Sequence, residues 1–454
     1  MIKKKKTRLI MMLGVAVFLI TFQWIYATLV SENWAYMAFT YTSPTILSFA
    51  IGWCASLLPT LWMPIELKRP SQLLYWLLYL TVYIPSMTVP YYRAAQTIGE
   101  LLPVTLYLIL GFFLVGMIYR FPLIPMPRPQ PLSENAFWLI VSLITIICLT
   151  LFLIARGSSL QLVGFADVYD VRMAARRIDT DIITDYALFY LAYTIFPLFM
   201  TIGLIRKQWA FFVLGAAGLV LLYAGVAYKA FVLSILYIPF LYIILKRYSK
   251  NFGVALLWLT CAQFLLIIML QFILTPLAKT LSDLIVIRNH ANSGLLTALY
   301  SEFFSDHPLT YGSHIKGISL FITYPYNVGV PYLIGDYLHV NLYYEISANA
   351  HLWATDGIAS FGAPGVLIIS LLLAFVFSTL DSYSRDLKPW VAALIVCMQF
   401  FNLSNIGLFS SFLGGGLGLS ILLLALMPRS LTEAKRSIFV FPSGSTGVGD
   451  LSHS

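Results

Sequence analysis

The sequence predicts an all-α protein that crosses a membrane many times, and three observations carry that prediction. Hydrophobic residues make up 60% of the 454 positions and charged residues only 10%, against about 25% charged in soluble domains. Apolar runs recur along the whole chain at roughly 20 residues, the length that spans a hydrocarbon core of about 30 Å. Lysine and arginine alternate between crowded and sparse loops in step with those runs. A charge at the bilayer centre costs at least about 2.5–3.5 kcal/mol, so lipid itself demands this scarcity.

Twelve runs read as spanning helices: 9–30, 43–63, 72–90, 101–119, 136–155, 186–205, 208–226, 229–245, 252–274, 364–381, 389–404 and 411–427. The first follows Lys3 to Lys6 and Arg8. It is longer than the 7–15 or so apolar residues of a signal peptide, so it reads as an anchor helix. The runs 208–226 and 229–245 are short and share a tight turn, and 389–404 is also short. Between spans nine and ten lies a long loop, 275–363, and a second polar segment occupies 156–185. Residues 1–427 therefore form a single transmembrane domain, and 428–454 a tail that ends rich in Gly and Ser and reads as disordered.

Orientation follows from basic residues in the short loops. Lys3 to Lys6, Arg8, Lys68, Arg69, Arg120, Arg128, Arg206, Lys207, Lys246, Arg247, Lys250, Arg385, Lys388, Arg429, Lys435 and Arg436 fall on one side, nineteen of 28. That side is expected to be cytoplasmic, with both termini. The other side takes thirteen of the 19 acids. The net charge of +9 is thus a matter of topology and does not point to nucleic acid. Cys54, Cys148, Cys261 and Cys397 all lie inside spans, which leaves neither a disulfide nor a zinc framework. The chain has no GxxxxGK[ST] and so no ATPase of its own. No internal repeat is evident, which weighs against transporters built from inverted halves.

Titratable groups concentrate in the two long loops. The 275–363 loop holds His290, His307, His314, His339 and His351, five of the 6 histidines, with six acids and recurring aromatics. Loops of this length are uncommon unless functional, and short helices on the membrane surface are expected there. In the 156–185 segment a helix would set Arg172, Arg176 and Asp179 on one face. Such a pair of guanidiniums either grips a pyrophosphate or pairs with Asp170, Asp179 and lipid headgroups. Lys229, in the tight turn, either snorkels to the interface or meets a phosphate.

Glu302, Asp306 and His307 lie together in Ser301-Glu-Phe-Phe-Ser-Asp-His307, while Asn349, His351, Trp353 and Asp356 share Ser347–Gly357. A histidine or a buried carboxylate can take a proton from a hydroxyl nucleophile, although a lone histidine among aromatics is more often structural. Asp179-Thr-Asp181 has the form of a metal-binding DxD but falls on the wrong side for nucleotide sugars. The histidines lack zinc spacing, so no metal site is expected.

Asp167-Val-Tyr-Asp-Val-Arg172, the Phe-Phe-Ser-Asp-His-Pro run at 303–308, and Ala348-Asn-Ala-His-Leu-Trp-Ala-Thr-Asp-Gly357 followed by Phe-Gly-Ala-Pro-Gly together resemble the Wzy-type polymerases of oligosaccharide repeat units, the bacterial O-antigen and capsule polymerases. The resemblance covers roughly 160–370 as scattered motifs. It implies a GT-C-like glycosyltransferase of the bacterial inner membrane. Such an enzyme joins undecaprenyl-pyrophosphate-linked repeat units on the extracytoplasmic face, with no metal, nucleotide or other cofactor. Implied partners are the lipid-linked oligosaccharides, membrane lipids and a chain-length regulator.

By the resemblance Arg172 matches the family's motif arginine, and Lys229 stands where arginine is usual. The expected roles are pyrophosphate binding by Arg172, Arg176, Lys229 and Arg288, proton removal by Asp356, His351 or His307, and acceptor binding by Asn349 and Trp353. Two other readings stay open: an O-antigen ligase using the same donor, and a transporter or flippase of the lipid-linked unit. A flippase would bring polar groups into the middle of the spans, which look nearly free of them.

Overall fold

The computed structural model describes residues 2–127, 129–164, 168, 181–338 and 347–432. Among them the chain is helical, with no strand. Arg172 and Arg176, and with them His339 and the tail from 433 onward, lie outside the described residues.

Nine stretches among the described residues are long and apolar enough to cross a membrane, which makes this a membrane-embedded helical protein. In chain order the helices are α1 (Lys5–Met37), the shorter α2 (Ile46–Leu61), α3 (Ser71–Arg93), α4 (Ile98–Arg120), α5 (Glu134–Ser159), α6 (Ile182–Arg206) and α7 (Trp209–Val226). The continuous Lys229–Ile273 stretch comprises α8 (Lys229–Tyr248) and α9 (Phe252–Ile273). Then come α10 (Thr275–Leu281), α11 (Asn292–Asp306), α12 (Val330–Tyr337), α13 (Gly365–Tyr383), α14 (Pro389–Ile395), α15 (Gln399–Asn405) and α16 (Leu408–Leu426).

Two of the twelve expected spans differ from their sequence reading. The run 43–63 appears as the short α2. The run 389–404 breaks between Ile395 and Gln399 into α14 and α15. The helix that resumes after the break is tied to α6. Pro197 in α6 has no N–H to offer the carbonyl one turn earlier. That carbonyl, on Tyr193, accepts instead from Gln399 Nε2 at 3.2 Å. Gln399 Nε2 also meets Thr194 and Ser420, and its Oε1 accepts from Asn402, whose amide reaches the Gly415 carbonyl at 2.7 Å. The spans are therefore less free of polar groups than hydropathy suggests. These groups are bonded to one another, as buried amides and hydroxyls must be.

Hydrogen bonds between loops fall into two sets. One joins Arg8 to the Met63 carbonyl, Leu67 to Ser249, Arg69 to Ile118, Ser382 to Ile124, Leu132 to Leu426, Arg206 to Glu134 and Arg429 to Asp386. The other joins Thr42 to Tyr92, Arg93 to Ala38 and Glu302, Trp34 to Asp283, and Tyr223 to Val163. The first set links only segments that the charge pattern assigns to its basic side, and the second only segments assigned to the other.

The long loop does not simply lie on a surface. Its first third enters the bundle: His290 packs against Phe18, Phe22 and Phe264, and α11 returns along α3 with Gly294 against the Pro85 carbonyl. Glu302 then meets Arg93 at the end of α3. From Pro85 to Arg93 a helix rises about 12 Å, so α11 starts well below the rim.

Candidate functional site

The α3–α11 contact carries a buried hydroxyl network. Ser293, Thr297 and Ser301 recur every four residues and so share one face of α11, and all three are buried. Thr297 Oγ1 lies 2.7 Å from Ser86 Oγ and 2.8 Å from His351 Nε2. His351 is fully buried, and its Nδ1 accepts from the Ala354 N–H. Nε2 must then be the protonated nitrogen and donate to Thr297. Burial, only partly opposed by a backbone bond at Ser293, pushes the imidazole pKa down to about 3. The ring is thus a neutral clamp with both nitrogens engaged, holding the 351–358 turn to α11.

That turn, Trp353–Ile358, is wider than an α-helical one. Trp353 is buried, donates to Ser370 Oγ at 2.9 Å and packs near Phe112. Gly365 lets α13 begin in contact with the Gly357 carbonyl, where a Cβ would collide. Asp356 points the opposite way, toward the start of α16. It is 2% exposed. Its Oδ2 accepts from the Phe409 N–H at 3.1 Å, and its Oδ1 faces His314 Nε2 at 3.3 Å. A Cβ on Gly407 would strike the carboxylate, so the backbone approaches closely because residue 407 is glycine.

His314 reaches Asp356 through its own anchor. The Thr310 N–H donates to the Ala359 carbonyl at 2.9 Å, pinning the 310–314 turn to the end of the Asp356 segment. Thr310 Oγ1 lies 2.9 Å from His314 Nδ1 and 3.0 Å from the same carbonyl. If the hydroxyl donates to the carbonyl, Nδ1 carries the imidazole proton and donates to Oγ1. If it donates to Nδ1, then Nε2 carries the proton. In the second arrangement Nε2–H donates to Asp356 Oδ1. A carboxylate beside an imidazole is a donor and acceptor set suited to general acid–base work.

The cations form a second group. Burial raises the Asp283 carboxyl above its usual range, against the pull of the Trp34 indole N–H at 2.8 Å and of Lys229 and Lys279. Lys229 opens α8 beside the point where the 156–185 segment leaves α5, since Gln161 donates to the Ala224 carbonyl at 2.9 Å. Arg288 is exposed, on the wide turn Ser282–Ala291 that also carries Asp283, and within electrostatic reach of Tyr193.

The remaining candidates lie apart from Asp356. His307 is exposed, stacks on Phe303 with ring centroids 3.9 Å apart, and bonds the Phe303 carbonyl at 2.9 Å. Asn349 is exposed. Among the described residues no three metal-ligating side chains converge.

Neither His314 as the partner of Asp356 nor Thr310, Thr297 and Ser86 stood out in the sequence. The separation of 42 positions between His314 and Asp356 carries no local signal. The hydroxyl at every fourth position of α11 was the available clue to a buried face. No family model, no curated protein and no solved structure matches the chain.

Proposed function

We propose that this protein is a metal-independent glycosyltransferase that polymerises lipid-pyrophosphate-linked oligosaccharide repeat units, with a GT-C-like architecture of twelve spans. One observation carries the reading. One of the motifs on which the Wzy-type resemblance rests, 348–357, supplies the buried Asp356 that faces His314, and it is joined through His351 and Ala348 to Thr297 and Tyr300 of α11, the helix that leads into the 303–308 motif. A stretch that serves only hydropathy has no reason to bury a carboxylate against an imidazole.

In this reading the acceptor hydroxyl attacks the anomeric carbon of the donor glycan. The bond from that carbon to the pyrophosphate oxygen breaks, the lipid pyrophosphate leaves with the electron pair, and the hydroxyl proton passes to Asp356 on its axis with His314. Removing a positioned general base typically costs about 10²–10⁴-fold in rate. Lys229 and Arg288, with Arg172 and Arg176 of the 156–185 segment, neutralise the charge growing on the leaving group, usually the largest single contribution in such a site. His351 holds the turn that carries Asp356, and Asn349 offers an exposed amide to the acceptor sugar.

The clustering of Lys and Arg in one set of loops makes that side cytoplasmic by the positive-inside rule. The pair then faces the outer side of a bacterial inner membrane. The banding pattern of surface polysaccharide in a deletion strain tests the reading. A polymerase leaves core capped by a single repeat unit; uncapped core assigns the chain to a ligase. Lipid-linked units accumulating on the cytoplasmic face assign it to a flippase.

A further inference from the structure

Beyond Thr310 the chain projects as a hairpin that presents apolar side chains outward. Tyr311 (φ 50°), Gly312 (φ 80°) and Gly317 (φ 99°) turn the backbone, and Tyr326 returns it by donating to the Pro308 carbonyl. At the tip, Ile318–Leu320 forms a short helical turn, and Leu320 is 81% and Phe321 88% exposed. Ile322 beside them is exposed too, as is Lys316 before them. Three consecutive large apolar side chains held out in this way mark an interaction surface.

The base of the hairpin indicates what covers it. The Tyr311 ring packs edge-on against Phe361, with centroids 6.2 Å apart. Phe361 lies four residues before the start of α13, where Ile368, Leu371, Leu372 and Phe375 form an exposed apolar face at helical spacing. On a spanning helix such a face meets lipid. The Tyr311–Phe361 contact thus sets the base of the hairpin beside the end of α13, the helix that bears this lipid-facing stripe, and Lys316 adds a cation before the exposed apolar tip.

We propose that the 311–322 hairpin is an interfacial membrane anchor, with Leu320, Phe321 and Ile322 seated among acyl chains and Lys316 at the headgroup phosphates. Amphipathic segments bind at this boundary through buried apolar area together with basic side chains. Thr310 and His314 stand at the root of the hairpin, so its seating fixes their height against the bilayer. Only that consequence rests on the proposed function.

The test uses full-length protein in liposomes with Cys54, the exposed cysteine, replaced by serine; the other three are buried. A nitroxide is placed on Leu320→Cys or Phe321→Cys, with Lys316→Cys and Ser305→Cys for comparison. Oxygen is expected to relax the labels at 320 and 321 severalfold more than a water-soluble nickel chelate does, with the order reversed at 305 and intermediate at 316. Greater relaxation by the chelate at 320 and 321 would overturn the proposal, because the tip would then stand in water. So would protection from both reagents, which would show a protein partner covering it. A bimane on Leu320→Cys gives a second reading. Lipids brominated near the headgroup should quench it strongly, and unquenched emission refutes the anchor.

Discussion

Replacing Asp356 by asparagine separates the carboxylate's charge from its shape. The side chain is buried, with one oxygen accepting from the Phe409 N–H at 3.1 Å and the other 3.3 Å from His314 Nε2. An asparagine keeps both contacts: its carbonyl accepts from Phe409, and its amide donates to Nε2 when the imidazole proton rests on Nδ1 beside Thr310. The lost charge assistance is worth about 1 kcal/mol, the difference between charged and neutral hydrogen bonds. Alanine instead strands the Phe409 N–H and the imidazole, at about 1–3 kcal/mol each. If Asp356 is the base, asparagine lowers turnover by about 10²–10⁴-fold, which is roughly 3–5 kcal/mol of barrier. The assay pairs thermal unfolding in detergent with glycan elongation in liposomes. Asparagine should leave unfolding close to wild type while abolishing elongation, and alanine should damage both. Elongation by Asp356→Asn within a few-fold of wild type would refute the assignment. So would an unfolding loss as large as that of alanine, since the carboxylate would then be structural.

Four further outcomes follow from the same geometry. Gly407→Ala drives a methyl into the Asp356 carboxylate and should cost about 1–3 kcal/mol in an unfolding titration, the usual range for overpacking, with elongation lost. Thr297→Val removes the acceptor of His351 Nε2 and the link to Ser86; unfolding should show about 1–3 kcal/mol for the stranded nitrogen. The pKa of His351 is about 3 in the folded protein, against about 6.5 unfolded. The unfolded chain therefore binds the extra proton, and stability is complete above about pH 6.5 and falls by about 1.4 kcal/mol per unit as pH drops toward the folded pKa. Going from pH 7 to 5 should cost wild type about 2 kcal/mol more than it costs His351→Asn. Lys229→Arg should keep elongation and Lys229→Ala should reduce it, as measured by initial rates at saturating donor; equal rates would remove Lys229 from the pyrophosphate site.

The membrane character was legible because lipid acts on every residue of a span alike, so composition alone reports it. The expected sidedness rests on a local property as well, the charge in short loops. The broken run at 389–404 was not, and the carbonyl that bonds Gln399 where the helix resumes lies two hundred positions away on Tyr193. The descent of α11 into the bundle was half legible: Ser293, Thr297 and Ser301 mark a hydroxyl face that needs partners, yet only the fold supplies Ser86 and His351. Asp356 stood out as an acid among apolar neighbours. Its partner did not, because His314 is delivered by the backbone bond from Thr310 to Ala359, and nothing local to either residue encodes it.

The most direct test is elongation by the purified protein in liposomes that contain a lipid-linked repeat unit as both donor and acceptor. The expected result is a ladder of glycans on lipid pyrophosphate, with one lipid pyrophosphate released for each bond formed, and no ladder from Asp356→Asn in the same vesicles. A wild-type protein that binds the lipid-linked unit and never lengthens it would contradict the account.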